Sequence, residues 1–338
     1  MSVFKITLTA ASAIAFCATT AHARDNVHAA GSSTVLPYAT IVAEAFGENF
    51  DFPTPLIESG GSGAGRKKMC EGVGTNTTDI ANSSSRIKQS DIDNCKANGV
   101  DEIMEVRIGY DGIVFASRLE NTGFEDLTPA MIYEATSATS DKTNWSQIDA
   151  SLPDRPIMMF IPGTKHGTRE VFDKKVLEAG CKAVGHYDTF KEQHGGDKKK
   201  AAKECHKVRT DGRSVDIDGD YTETLARLAS NPEGVGVFGL SFLLNNTDTI
   251  YAANINGVTP STESIASGEY PVSRPLYFYV KNAHLDAVPG LQEFIEFFVS
   301  DDMAGPDGPL AEYGLVSDPE LEQTQEMVAN RIPMGPLE

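Results

Sequence analysis

Three stretches of this chain run glycine and small hydroxyl residues straight into a helical period: Gly31-Ser32-Ser33-Thr34, Ser59-Gly60-Gly61-Ser62-Gly63, and Gly163-Thr164-Lys165-His166-Gly167-Thr168-Arg169. Apolar runs of strand length recur among helical periods: Leu56-Ile57, Ile113 to Ala116, Ile157 to Ile161, Val235 to Phe238, and Leu276 to Val280. Val35, Tyr38, Val42 and Phe46 share one helical face, as do Phe172, Val176 and Ala179, then Leu225, Leu228 and Ala229, and later Leu291, Phe294, Ile295 and Phe298. Strands alternating with helices predict an α/β fold with mainly parallel sheets, whose ligands settle where strands turn into helices. The clusters fall at such turns. There the first N–H groups of a helix lack intrahelical partners and carry the positive end of the macrodipole, so hydroxyls added at that point suit an anion. A single cluster reads as an ordinary cap or turn; three argue for convergence on one ligand.

The chain begins with Met1-Ser2-Val3-Phe4-Lys5, an apolar run from Ile6 to about Ala18, and Ala21-His22-Ala23. This is the pattern of a secretory signal peptide over residues 1–23, with the mature chain starting near Arg24. Removing that segment takes one basic residue, Lys5, from the 29 and none of the 48 acidic ones. Such an acidic surface repels nucleic acid and anionic lipid, so any bound anion must be held by local donors inside a cleft. Screening over ~8 Å at physiological salt allows it.

Cys70, Cys95, Cys181 and Cys205 remain, and export places them where disulfides persist. Three pairings exist; sequence proximity favours Cys70 with Cys95 and Cys181 with Cys205. His186, His194 and His206 lie near the second pair, but no CxxC or HxxxH spacing supports zinc. Asp216-Ile217-Asp218-Gly219-Asp220 lacks the glycine position and twelfth-position Glu of a calcium loop. No metal or cofactor is expected. The mature length, about 315 residues, exceeds what one core usually holds, which predicts two domains. The lysine-rich segment Lys191 to Lys207 reads as solvated surface.

Ala30 to Pro37, Glu58 to Gly63, Asp79 to Arg86, Ile108 to Val114, His166 to Phe172, Gly234 to Gly239 and Tyr270 to Leu276, in this order, resemble the periplasmic phosphate-binding proteins of Pst ABC transporters over nearly the whole mature chain. The resemblance implies a type II two-lobed binding protein, each lobe a mainly parallel sheet flanked by helices, with the ligand in the interlobe cleft. Its chain would cross between lobes near Ile108 to Gly112 and Val272 to Leu276. Residues 24–108 with 275–338 would then form one lobe and 109–274 the other. It also implies an extracytoplasmic, monomeric protein, not an enzyme, that takes up inorganic phosphate and delivers it to membrane permease subunits. The anion would be held by Ser33, Thr34 and Ser62 from one lobe and by His166, Gly167 and Thr168 from the other.

The chain departs from that pattern in the third cluster, where His166 replaces a serine and Pro162 stands where many members carry an Arg. Arg169 and Arg86, each beside a donor cluster, are the candidate guanidinium groups. Protonation of His166 would strengthen binding as pH falls toward ~6.5. Ser84 stands where much of the family has an Asp, so Asp111 is the preferred acceptor for the ligand's proton, a contact that sulfate cannot satisfy. Arsenate, sulfate or molybdate are the alternative ligands. A secreted hydrolase is the remote alternative, since no G-x-S-x-G elbow and no close metal-ligand motif appears.

Overall fold

A computed structural model describes residues 24, 26–164, 167–219 and 221–337. The expected signal segment and His166 lie outside the described residues. Strands β1 (His28–Gly31), β2 (Leu56–Ser59), β3 (Ile80–Ser83), β4 (Ile103–Arg118), β5 (Asp126–Leu127) and β6 (Met159–Pro162) fall in the first half of the chain. They are followed by β7 (Ser214–Ile217), β8 (Val235–Gly239), β9 (Ile250–Ala252), β10 (Asn254–Ile255), β11 (Ser273–Lys281) and β12 (Leu315–Val316). The main sheet runs β2-β1-β3-β11-β4-β8-β6-β7, with β9 and β12 also paired to β4.

β1 is parallel to β2 and β3, and β6 is parallel to β7 and β8. The antiparallel pairs are those made by β4 and β11. β4 is 16 residues long. Its first part, Ile103 to Gly112, pairs with β11, and Ile113 to Ala116 pair with β8. Two packed cores sit on either side of this change of partner. Val42, Phe46, Val106, Phe278 and Phe294 belong to the first, and Val114, Phe115, Phe160, Phe172 and Val237 to the second. The result is a two-lobed α/β fold whose lobes share a continuous strand. The C-terminal segment returns to that strand through β12, with Leu315 in the first core and Val316 in the second.

The sequence explains the local elements. The helix Leu36–Asn49 begins with a proline in its first turn, and Ser32 Oγ accepts from Thr34 N at 3.2 Å and Val35 N at 3.4 Å. Tyr38, Val42 and Phe46 are buried at helical spacing, and Phe46 meets Phe294 edge-on at 5.4 Å. The face expected from Phe172, Val176 and Ala179 is displaced. Phe172–Leu177 is a π-helical turn, and it turns Leu177 inward with Phe172 and Val176 while Ala179 stays partly exposed. At the crossing, the β4–β11 register shifts between Leu276 and Tyr277. Gly109 there has φ +139°, and a Cβ would lie 2.6 Å from Val316 O, so only glycine fits.

Cys70 is bridged to Cys95, joining the helices Ser62–Met69 and Gln89–Ala97. Cys181 is bridged to Cys205, joining Glu178–Ala183 to Lys198–Cys205. Asp79, one residue before β3, is buried; its Oδ2 accepts from His28 N at 2.7 Å and from Arg24, and its Oδ1 lies 2.6 Å from His284 Nδ1. It is an anchor for the first lobe. No described helix is long and apolar enough to cross a membrane. Each bridge closes a loop of about 25 residues, so replacing either cysteine pair by alanine should lower the unfolding free energy by about 3 kcal/mol. Because the bridges lie in different clusters, urea denaturation of the quadruple variant should give nearly the sum.

Candidate functional site

The first cluster follows β1. Gly31 has φ +148°, and a Cβ there would lie 2.1 Å from Asn82 O, so glycine lets β1 and β3 run close together. The turn that follows buries Thr34 and leaves Ser33 exposed. Thr34 Oγ1 donates to Glu170 Oε2 at 2.8 Å and accepts from Arg274 Nη2 at 2.7 Å. Of the two expected ligand hydroxyls in this turn, Thr34 faces the cleft. Ser33 is exposed, while Ser32 is buried and its hydroxyl accepts from Thr34 N and Val35 N within the turn.

Gly60 and Gly61 of the second cluster both donate to Gly31 O, at 2.9 and 2.7 Å, which ties the first two clusters together. Ser62 opens the next helix. Its hydroxyl accepts from Ser84 N at 3.0 Å and lies 3.2 Å from Ser84 Oγ, so it links the two strand-to-helix turns of this lobe. It does not line the cleft cavity described below.

Thr168 of the third cluster, one residue into the helix Gly167–Val171, lines the cleft. Arg169 is buried and engaged by protein acceptors. Its Nε donates to Asp173 Oδ1 at 2.7 Å, and its Nη1 donates to Pro162 O at 2.9 Å and Asp216 Oδ1 at 2.7 Å. Two carboxylates and a carbonyl use this guanidinium to fasten the helix to β6 and β7. Arg86 lies elsewhere. It is exposed and pairs with Glu105 at 3.0 Å, on β4 outside the cavity.

Arg274, which sequence reasoning placed in a crossing segment without assigning it a role, does not line the cavity described below but reaches two residues that do, Thr34 and Asp111. It is buried on β11, directly opposite Asp111 on β4 in the antiparallel register. Arg274 Nη2 and Asp111 Oδ2 are 3.6 Å apart, an ion pair outside hydrogen-bond reach. Arg274 Nε and Asp111 Oδ2 are both buried without a hydrogen-bond partner. One donor and one acceptor are thus held ready at the centre of the crossing. Burial pushes the Asp111 carboxyl above its ordinary range, although Arg274 pulls it down. No local signal marks Arg274, which stands between Ser273 and Pro275 at the start of β11; only the pairing with β4 brings it to Asp111.

Thr34, Asp111 and Thr168 share a cavity of about 270 Å³ with Pro37, Tyr38, Tyr221, Phe242 and Tyr313. Tyr38 and Tyr313 meet edge-on at 5.5 Å, and Tyr221 lies 5.5 Å from Phe242. Burial, reinforced by the Asp111 charge, raises the phenols of Tyr38 and Tyr221, so both are neutral near pH 7. The aromatic wall lowers the local dielectric and strengthens every contact to the Arg274 charge. These rings were not among the expected site residues. Tyr38 falls on the buried period of its helix, and only the tertiary packing brings it beside Tyr221, Phe242 and Tyr313 at the cavity.

Relatives share this frame. A phosphate-binding protein PstS from Staphylococcus haemolyticus is 28% identical over 305 residues, covering 88% of this chain and 82% of its own. Protein SphX from Synechococcus elongatus is 27% identical over 283 residues, covering 81% and 73%. The crystal structure of a possible phosphate binding protein from Planctomyces limnophilus superposes with a TM-score of 0.68 at 25% identity, covering 91% of this chain and 98% of that one. An ABC-type phosphate transport receptor from Vibrio cholerae has the same fold, with a TM-score of 0.55 at 17% identity, covering 92% and 100%. The family profile described as "PBP superfamily domain" matches residues 18–302, so the chain belongs to the PBP superfamily.

Proposed function

We propose that this chain binds inorganic phosphate between its lobes outside the cytoplasm and delivers it to the permease of an ABC importer. The observation that carries the reading is the Arg274–Asp111 pair, with an unused donor on one side and an unused acceptor on the other. An oxyanion with negative oxygens for Arg274, Thr34 and Thr168, and a proton for Asp111, matches that inventory. Monohydrogen phosphate is such an ion. Sulfate has no proton at neutral pH and would set its charge against the carboxylate. Burial raises the proton affinity of Asp111, so the ligand that brings a proton gains most.

The proposed lobes are residues 24–108 with 275–338, and 109–274, joined at the crossings of β4 and β11. Residues 1–23 direct export to the periplasm, and His166 and Gly167 contribute to the anion's second side. The protein acts as a monomer and performs no chemistry on its ligand, in keeping with relatives named as binding proteins. Closure around the anion provides the shape that a permease distinguishes from the empty form.

Calorimetric titration of the ligand-stripped mature chain should give one phosphate per chain and no measurable sulfate or molybdate binding. A preference for sulfate, or the absence of any anion binding, refutes the reading. Arg274→Ala should weaken phosphate binding roughly 10- to 100-fold, the value of a charged hydrogen bond. Asp111→Asn should narrow the gap between phosphate and sulfate.

Asp111 also predicts a pH trend in the empty protein. Its folded-state pKa is raised above the ordinary 3.8, so its stabilising contribution is complete below that pH and is lost as pH rises through the folded value. Urea unfolding should therefore show the stability of the natural protein relative to Asp111→Asn falling as pH increases from about 3.8. A difference independent of pH would contradict this.

A further inference from the structure

Thr34 has one hydroxyl proton, and Glu170 holds it: Oγ1 donates to Glu170 Oε2 at 2.8 Å while accepting from Arg274 Nη2 at 2.7 Å. Glu170 Oε2 is also 3.5 Å from Arg274 Nη2. A carboxylate oxygen of the protein thus faces the same hydroxyl and guanidinium that a bound oxyanion would use. The contact spans the cleft. Thr34 leads into the helix Leu36–Asn49 of the first lobe, and Glu170 rides on Gly167–Val171 after β6 in the second. The other carboxylate oxygen, Oε1, lies 2.5 Å from Lys174 Nζ, one turn further along. Burial opposes ionisation of Glu170, but Lys174, Arg274 and Thr34 together hold its carboxyl below the ordinary range.

We infer that Glu170 is an internal surrogate for the anion, which latches the lobes together in the empty protein and competes with the ligand for Thr34 and Arg274. Thr34 cannot donate to a ligand while it donates to Glu170. Anion entry therefore breaks the Thr34–Glu170 bond and leaves the carboxylate on Lys174, which already holds it. The measured affinity is then lower than the intrinsic affinity of the site by the factor needed to displace the latch. The identity of the ligand rests on the phosphate reading above; the latch itself does not.

The test compares the natural chain, stripped of bound anion, with Glu170→Ala and Glu170→Gln. Glu312→Gln serves as a charge control, because Glu312 lines the same cavity. Each is titrated with inorganic phosphate, and each empty protein is measured by small-angle X-ray scattering and thermal unfolding. Glu170→Ala should bind phosphate about tenfold more tightly, Glu170→Gln should gain less because its amide oxygen still accepts from Thr34, and the empty Glu170→Ala protein should be more open than the natural one. Weaker phosphate binding by a normally melting Glu170→Ala overturns the proposal and makes Glu170 an acceptor for the ligand. An equal gain in Glu312→Gln also overturns it, since loss of charge alone would then explain the effect. If no variant binds phosphate, the phosphate reading fails, and scattering alone decides the latch: unchanged dimensions of empty Glu170→Ala reject it.

Discussion

The ion pair between Arg274 and Asp111 organises the molecule. Both residues lie on strands shared by the lobes, in direct register, and both are buried. Placing two charges out of water costs several kcal/mol per ion, and a pair 3.6 Å apart recovers only part of that, with Arg274 Nη2 also donating to Thr34 Oγ1. Arg274 Nε and Asp111 Oδ2 stay unmatched. A fold meant only to be stable would place apolar side chains there. The lobes instead surround the pair with neutral phenols and threonine hydroxyls, an inventory that would suit the tetrahedral oxyanion proposed above.

This arrangement resolves the conflict between an acidic surface and an anionic ligand. The sequence has 48 acidic residues against 29 basic ones, and long-range attraction of an anion is therefore absent. On the proposed function, recognition would therefore be local. Both arginines beside the donor clusters are paired with carboxylates, Arg86 with Glu105 and Arg169 with Asp173 and Asp216. Such pairs steady the scaffold and leave the cleft a cation committed to the centre.

Much of the fold was legible from the sequence because its elements carry local periods. The helix with Tyr38, Val42 and Phe46, the apolar strands around Phe115 and Val237, and the neighbouring cysteine pairs all follow from spacing alone. Asp111 was readable as a buried acid beside a glycine at a crossing. Arg274 was not, because its meaning depends on a strand pairing 163 residues distant in sequence, which no local pattern encodes. Arg86, Arg169 and Ser33 show the limit of adjacency. Each is next to a donor cluster along the chain, yet adjacency does not say which way a side chain turns. Arg86 turns to Glu105, Arg169 to Asp173 and Asp216, and Ser33 to the surface.

The shared strand β4 keeps its ladder on both sides of the change of partner, and the register shift with Gly109 places a pliant point between the cores. A change in the angle between the lobes is thus a flexure of an unbroken sheet, with no backbone hydrogen bonds to sever and remake. Such a joint stores little energy over a range of angles, as a thin leaf spring does. The resting angle of the molecule is consequently set by the few side chains that touch across the cleft, and single substitutions there retune the mechanical state of the whole protein.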